Sequence, residues 1–217
     1  MAELYSKFLE FFYVSLGFQQ LAAILTVIGI PIIFFKLFFW RARHEIYFDP
    51  KETYHEVILV DRTNKPLSYW LQLMVKNNGY EISKNVEAYL PKILIKKDSK
   101  FQKLEEFRAP VKLKWSHEKG IFPIDILPKE SRRLDICFIC KSDPILYLMA
   151  ESFPSGTIKN ELPIGDYVFI IKVVSENSLT PATFNFHVVW NGRWKELKGD
   201  DEYQIKNFRI YNKKIKI

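Results

Sequence analysis

Glycine and cysteine are scarce in this chain, with eight glycines and two cysteines in 217 residues. Few glycines leave few places where a backbone can close around a phosphate, and neither G-x-G-x-x-G nor G-x-x-x-x-G-K-S/T occurs. The two thiols, Cys137 and Cys140 in "LDICFICKSD", have no second pair to complete a tetrahedral zinc site. Their segment alternates like a strand, where residues three apart point to opposite faces, so both read as structural. The four histidines, His44, His55, His117 and His187, show no metal-binding spacing. Ser116, His117 and Glu118 are adjacent, and neighbours on an extended chain do not converge as a catalytic triad does. The residues therefore argue against an enzyme and imply no cofactor and no metal. The chain also lacks an N-x-Ser/Thr sequon.

Charge is missing from one long stretch. The 25 residues from Phe11 to Phe35 contain no Asp, Glu, Lys, Arg or His. A hydrocarbon core of roughly 30 Å takes about 20 mainly apolar residues to cross as a helix. A cleaved signal wants positive charge before its apolar run and small residues after it. Here "MAELYSKFLE" precedes the run, and Phe, Trp and Arg follow it. The reading is a leader over 1–15, a transmembrane helix over 16–40, a basic juxtamembrane neck over 41–54 and a folded domain over 55–217. Lys36, Phe38, Phe39, Trp40, Arg41 and Arg43 are placed at the membrane interface, because aromatic rings and snorkelling cations concentrate there. Basic residues are denser after the run than before it, which points to an outside N-terminus and a cytoplasmic C-terminal domain.

Beyond Arg43 the pattern has period two. "VKLKW" sets Val111, Leu113 and Trp115 against Lys112 and Lys114, and "SYWLQLMVK" sets Tyr69, Leu71, Leu73 and Val75 against Gln72 and Lys76. "RRLDICFIC" offers Leu134, Ile136 and Phe138, and "FNFHVVW" offers Phe184, Phe186, Val188 and Trp190. "DYVFIIKVV" is apolar on both parities and reads as a central strand. "KNNGY", "ILPKES" and "LPIGDY" supply turns. Asn191-Gly192 in "WNGRW" predicts a two-residue hairpin that sets Trp190 opposite Arg193 and His187 opposite Glu196. The expected fold is mainly β: an antiparallel sandwich of seven to nine strands behind one N-terminal transmembrane helix, with a closed barrel as the alternative. Residues Lys96 to Phe107 read either as a short helix or as a loop.

"LMVKNNGYEISKNVEAYL" resembles the opening of prokaryotic immunoglobulin-like domains of the CARDB type, with a valine-containing strand, an N-x-G turn and a second strand. "IDILPKESRRLDI" is similar to their later L-x-P-G-E-S turn, with Lys129 where glycine is usual. "LPIGDYVFIIKV" resembles the L-x-P-G-x-Y opening of a strand in such sandwiches. The resemblance covers about half of the domain and implies an immunoglobulin-like fold. It carries no catalytic residues, and it implies an extracellular domain, the opposite side from the flanking charges.

The formal net charge is +7. Lysine outnumbers arginine three to one, whereas arginine supplies the forks that nucleic-acid recognition favours. The basic flank instead fits a lipid bilayer with anionic headgroups. Candidate partner-binding residues are Trp194 and His187, which share an outward face on the expected hairpin, and Trp70, outward beside Gln72. Together these features predict a membrane-anchored, non-enzymatic protein whose sandwich binds a protein or ligand. The alternative is a membrane-active effector, a homo-oligomer whose helices cluster through Ala22, Thr26 and Gly29.

Overall fold

The computed structural model describes residues 7, 18–36, 40–49, 68–107, 109–116, 118, 120, 122–140, 143–150, 160–193 and 208–211. The chain divides into two compact units, Met1–Arg41 and Ala42–Ile217. The first contains helix α1, Phe18–Phe35, with Pro31 inside it. Its 18 residues extend about 27 Å at ~1.5 Å each, and the amides of Gln19 and Gln20 confine the fully apolar part to its later turns. Among the described residues no helix is long and apolar enough to cross a membrane. The transmembrane helix expected over 16–40 is corrected accordingly: α1 is shorter than predicted, and residues 37–39 lie outside the described set.

The second unit is mainly β, built of two antiparallel sheets. One has the order β1 (His44–Tyr47), β2 (Ser68–Asn77), β8 (Ser131–Cys140), β9 (Leu146–Leu148) and β10 (Glu161–Leu162), with β6 (Lys114–Trp115) also on β8. The other has the order β13 (Phe208–Tyr211), β12 (Ala182–Trp190), β11 (Gly165–Val174), β3 (Ser83–Lys97) and β4 (Lys100–Lys103). Two short strands, β5 (Val111–Lys112) and β7 (Ile124–Ile126), also pair with β3. The unit begins at Ala42, and β1 lies within the segment 41–54 read as a neck.

One core joins the sheets. Leu71, Leu73, Val75, Leu134 and Ile139 from the first meet Ala88, Ile93, Phe169, Ile171, Phe186 and Val188 from the second. "VKLKW" packs Val111, Leu113 and Trp115 inward as its alternation predicts, all within 1% of full burial. It is nonetheless two strands in two sheets, because β5 pairs with β3 and β6 with β8. The chain crosses between layers at Leu113, whose amide donates to Ala88 O at 2.9 Å. Among the described residues such crossovers and two- or three-residue strands raise the strand number to six and seven per sheet, above the seven to nine expected in all.

Three local readings change. Between Leu71 and Gln72 the β2–β8 register jumps from Cys137 to Asp135, leaving Ile136 as the extra residue of a β-bulge. Parity inverts beyond it, so Cys137 and Ile139 are buried while Phe138 points outward, half-buried. Lys96 to Phe107 is neither helix nor plain loop. Asp98 and Ser99 both have positive φ, 47° and 67°, and Lys97 pairs with Lys100. That is a two-residue hairpin of the mirror-turn kind, after which Phe107 enters the core.

The hairpin expected at Asn191-Gly192 is the third. Gly192 has φ +74°, and the Arg193 amide donates to Asn191 Oδ1 at 3.0 Å, so the chain does turn. Yet the strand beside β12 is β13, which sets Trp190 opposite Phe208 and His187 opposite Tyr211. The turn chemistry is local, and the partner strand is chosen by long-range packing instead. Glu196 and Trp194 lie outside the described residues.

Candidate functional site

The predicted contact residues fall on two different surfaces. Leu71 and Leu73 face the core from β2, so Trp70 between them and the sheet edge faces out of the first sheet. Phe186 and Val188 face the core from β12, so His187 faces out of the second. The sandwich core separates them. Trp194, the third candidate, is outside the described residues.

On the first sheet Trp70 heads an aromatic ladder. Register sets Trp70 opposite Phe138 and Phe138 opposite Tyr147. The rings stack, with centroids 5.4 Å apart at 23° for the first pair and 5.1 Å at 19° for the second. Such cross-strand pairs typically stabilise a sheet by several tenths of a kcal/mol each, and here all three rings remain half-buried. Both ends are fixed: Trp70 Nε1 donates to Ser68 Oγ at 3.1 Å, and the Tyr147 hydroxyl donates to Asp143. The Asp143 carboxylate pushes the Tyr147 hydroxyl up to about 12, so it stays a donor. Beside the ladder, Gln72 Nε2 donates to Asp135 Oδ1 at 2.6 Å and to Ser116 Oγ at 2.9 Å. The result is a firm, flat aromatic surface with a polar border. The outward parity of Trp70 was readable, whereas Phe138 and Tyr147 were not, because the bulge that aligns them leaves no mark in the sequence.

On the second sheet His187 Nε2 is hydrogen-bonded to Asp166, and Lys96 Nζ lies 3.6 Å from the other carboxylate oxygen. Phe101 meets the imidazole edge-on at 5.3 Å. Val168 and Leu94, paired in register on this face, are 0% and 2% exposed. Further along the face, Glu87 receives Lys112 Nζ at 2.5 Å and the Tyr89 hydroxyl. Those hydrogen bonds, Lys112 first, hold the Glu87 carboxyl below the ordinary range. This surface is thus a set of satisfied polar contacts.

Cys137 is buried, which pushes its thiol well up, and Cys140 is partly exposed on the opposite face of β8. His55 and His117 lie outside the described residues, and among the described residues no three metal-ligating side chains form a group. Of the six residues expected at a membrane interface, Lys36, Trp40 and Arg43 are exposed and Arg41 is half-buried, while Phe38 and Phe39 are outside the described set. Around α1, Leu25, Val27, Ile28, Ile30, Ile32, Ile33, Phe34 and Phe35 are all more than half exposed.

Neither protein-family models nor curated proteins nor solved structures match the chain.

Proposed function

We propose that the chain is a membrane-attached, non-enzymatic binding module: α1 partitions into a bilayer, and the β unit offers the Trp70–Phe138–Tyr147 ladder to a protein or ligand. The observation that carries this reading is the exposure of apolar side chains on all sides of α1 from Ile24 to Phe35. At 100° per residue, Leu25, Val27, Ile28, Ile30, Ile32 and Ile33 are spread around the whole circumference, and a helix apolar all round belongs in a protein core or in lipid. Lys36, Arg41 and Arg43 follow it, and each basic residue near an anionic leaflet contributes about 1 kcal/mol of attraction. That charge distribution favours the cytoplasmic leaflet. For the β unit an immunoglobulin-like topology is the finer reading. Its support is in "LPIGDY", where the Tyr167 hydroxyl donates to Pro163 O at 2.8 Å. A Cβ on Gly165 would meet the Tyr167 ring at 2.7 Å, so only glycine lets the ring lie over the turn, as in the tyrosine corner of such sandwiches.

The test is flotation of the full chain with phosphatidylcholine–phosphatidylserine vesicles, beside a variant carrying Leu25→Gln, Ile28→Gln and Ile32→Gln. The unaltered chain should float and the variant should lose at least about tenfold in bound fraction, since amides are costly in hydrocarbon. A chain that stays with the soluble fraction, or a variant that floats equally well, defeats the reading. Release of entrapped dye by the unaltered chain would instead support the effector.

A further inference from the structure

We infer that the β unit itself docks on the bilayer, end-on, through the loop tips Tyr80, Ile82, Leu127 and Leu179; this rests on the membrane attachment proposed above. Register places the loops that carry them at one end of the sandwich. Asn77 closes β2 opposite His44, Lys76 lies opposite Ser131, Ser83 opposite Ile126, and Val173 opposite Ala182. Hence residues 78–82, 127–130 and 175–181 all turn at the end where the chain joins this unit. The four tips are 57%, 41%, 54% and 51% exposed. Scattered exposed apolar residues are ordinary, but four on the loops of one end form a group.

These loops are tied together rather than loose. Lys129 N donates to Asn77 O at 2.7 Å, and Lys129 Nζ donates to Asn78 O at 2.7 Å while lying 4.6 Å over the Tyr80 ring. Asn177 Nδ2 donates to Ile82 O at 2.8 Å, and its Oδ1 accepts from Lys84 N at 3.1 Å. Asn77, fully buried, donates to Glu81 O at 2.7 Å and accepts from Gly79 N at 3.0 Å. A surface held in this way loses little conformational freedom when it docks.

A bilayer is the occupant that the covalent structure favours. Asn78 N donates to Arg43 O at 2.7 Å and Ala42 bridges to Ser178, so the first residues of the unit are part of this end. Six residues, 36–41, separate Ala42 from the last residue of α1. Fully extended they reach about 20 Å, so a bilayer that holds α1 meets this end at an effective concentration in the millimolar range. A modest apolar surface is then sufficient. Charge is close to balanced: Arg43, Lys84 and Lys129 are exposed, while Glu45, Glu81, Asp125 and Glu176 each accept from Asn78, Asn177 or Asn85. Docking should therefore be apolar, should need no anionic lipid and should resist salt.

The experiment uses the full chain with Cys140→Ser and one added cysteine, Ile82→Cys, Leu179→Cys or Ile164→Cys, each carrying an environment-sensitive dye. Ile164 is exposed at the opposite end, next to Gly165. The protein is bound to phosphatidylcholine vesicles with brominated acyl chains. Labels at 82 and 179 should lose at least half of their emission, equally in low and in 0.5 M salt (~3–4 Å screening length at that strength), while the label at 164 keeps its own. A protein that floats with unquenched labels at 82 and 179, or with equal quenching at 164, overturns end-on docking and leaves the attachment of α1 standing. Dye shifts without quenching that vanish on dilution identify a second copy as the occupant and also overturn it. Failure to float on these vesicles overturns docking without anionic lipid, and failure on phosphatidylserine-containing vesicles as well defeats the attachment reading first.

Discussion

Trp40 and Trp190 are the same side chain in two regions that treat it oppositely. Trp40, just beyond α1, is 44% exposed, whereas Trp190, at the end of β12, is 1% exposed and donates Nε1 to Pro144 O at 3.0 Å. The described turns of α1 display their large apolar groups, and the β unit packs most of its own into a core. What the contrast teaches is that apolarity alone does not locate a core. In one region it builds a core, and in the other it stays at the surface. Truncation separates the two uses most sharply. Trp190→Ala should lower the unfolding free energy of the β unit by about 3–5 kcal/mol, from lost burial and an unfilled cavity. Trp40→Ala should leave it within about 0.5 kcal/mol. Chemical denaturation read by circular dichroism measures both, and equal losses would erase the distinction.

A second pair refines it inside the β unit. Tyr167 is fully buried, and desolvation there pushes its hydroxyl up to about 12. Tyr80 stands at a loop tip with its ring under Lys129. Removing one oxygen from each leaves both rings in place. Tyr167→Phe should cost about 1 kcal/mol, since the Pro163 carbonyl loses its donor in a half-closed site. Tyr80→Phe should change stability by no more than a few tenths of a kcal/mol. If the two losses prove the same in a denaturation series, the Tyr167 hydrogen bond does not hold the corner that "LPIGDY" builds.

The same contrast separates what was legible in the sequence from what was not. Parity located Val111, Leu113, Trp115, Phe186, Val188 and Trp190 in the core, because alternation is a property of a single strand. It failed in β8, where one inserted residue, Ile136, turned Phe138 outward; a bulge changes parity without changing composition. Turn chemistry was equally uneven. Asn191-Gly192 does turn, but the strand that pairs with β12 is Phe208–Tyr211. Asp98-Ser99, a poorer signal among lysines, makes the tight hairpin. A dipeptide sets the local dihedral angles, whereas the pairing partner is decided by what the whole sheet buries. For the candidate site, the sequence showed that Trp70 points outward and hid its stacking on Phe138 and Tyr147, which depends on register across three strands.

The two described histidines give the finest comparison and the smallest expected effect. The His187 ring nitrogen faces the Asp166 carboxylate, with Lys96 beyond it, on the outer face of the second sheet. His44 Nε2 faces a hydroxyl, Ser83 Oγ at 2.6 Å, and ties β1 to the start of β3 in the opposite sheet. Its Nδ1 is buried and has no hydrogen-bond partner among the described residues. Burial lowers its pKa below the ordinary 6.5, and the doubly protonated ring must carry an N–H at Nδ1, which has no acceptor among the described residues. The unfolded chain therefore takes up the proton first as pH falls. Stability linked to His44 is complete above about 6.5 and is lost as pH drops through that value towards the lower folded pKa. His44→Gln keeps a polar group that can bond Ser83 and removes the titration. Its unfolding free energy should fall less between pH 8 and pH 5 than that of the unaltered chain, with the two curves parallel above pH 7. All other ionisable groups are common to both proteins and cancel in the difference. Curves that stay parallel down to pH 5 would show that His44 ionises as freely in the fold as in the open chain, and that the link from β1 to β3 tolerates its charge.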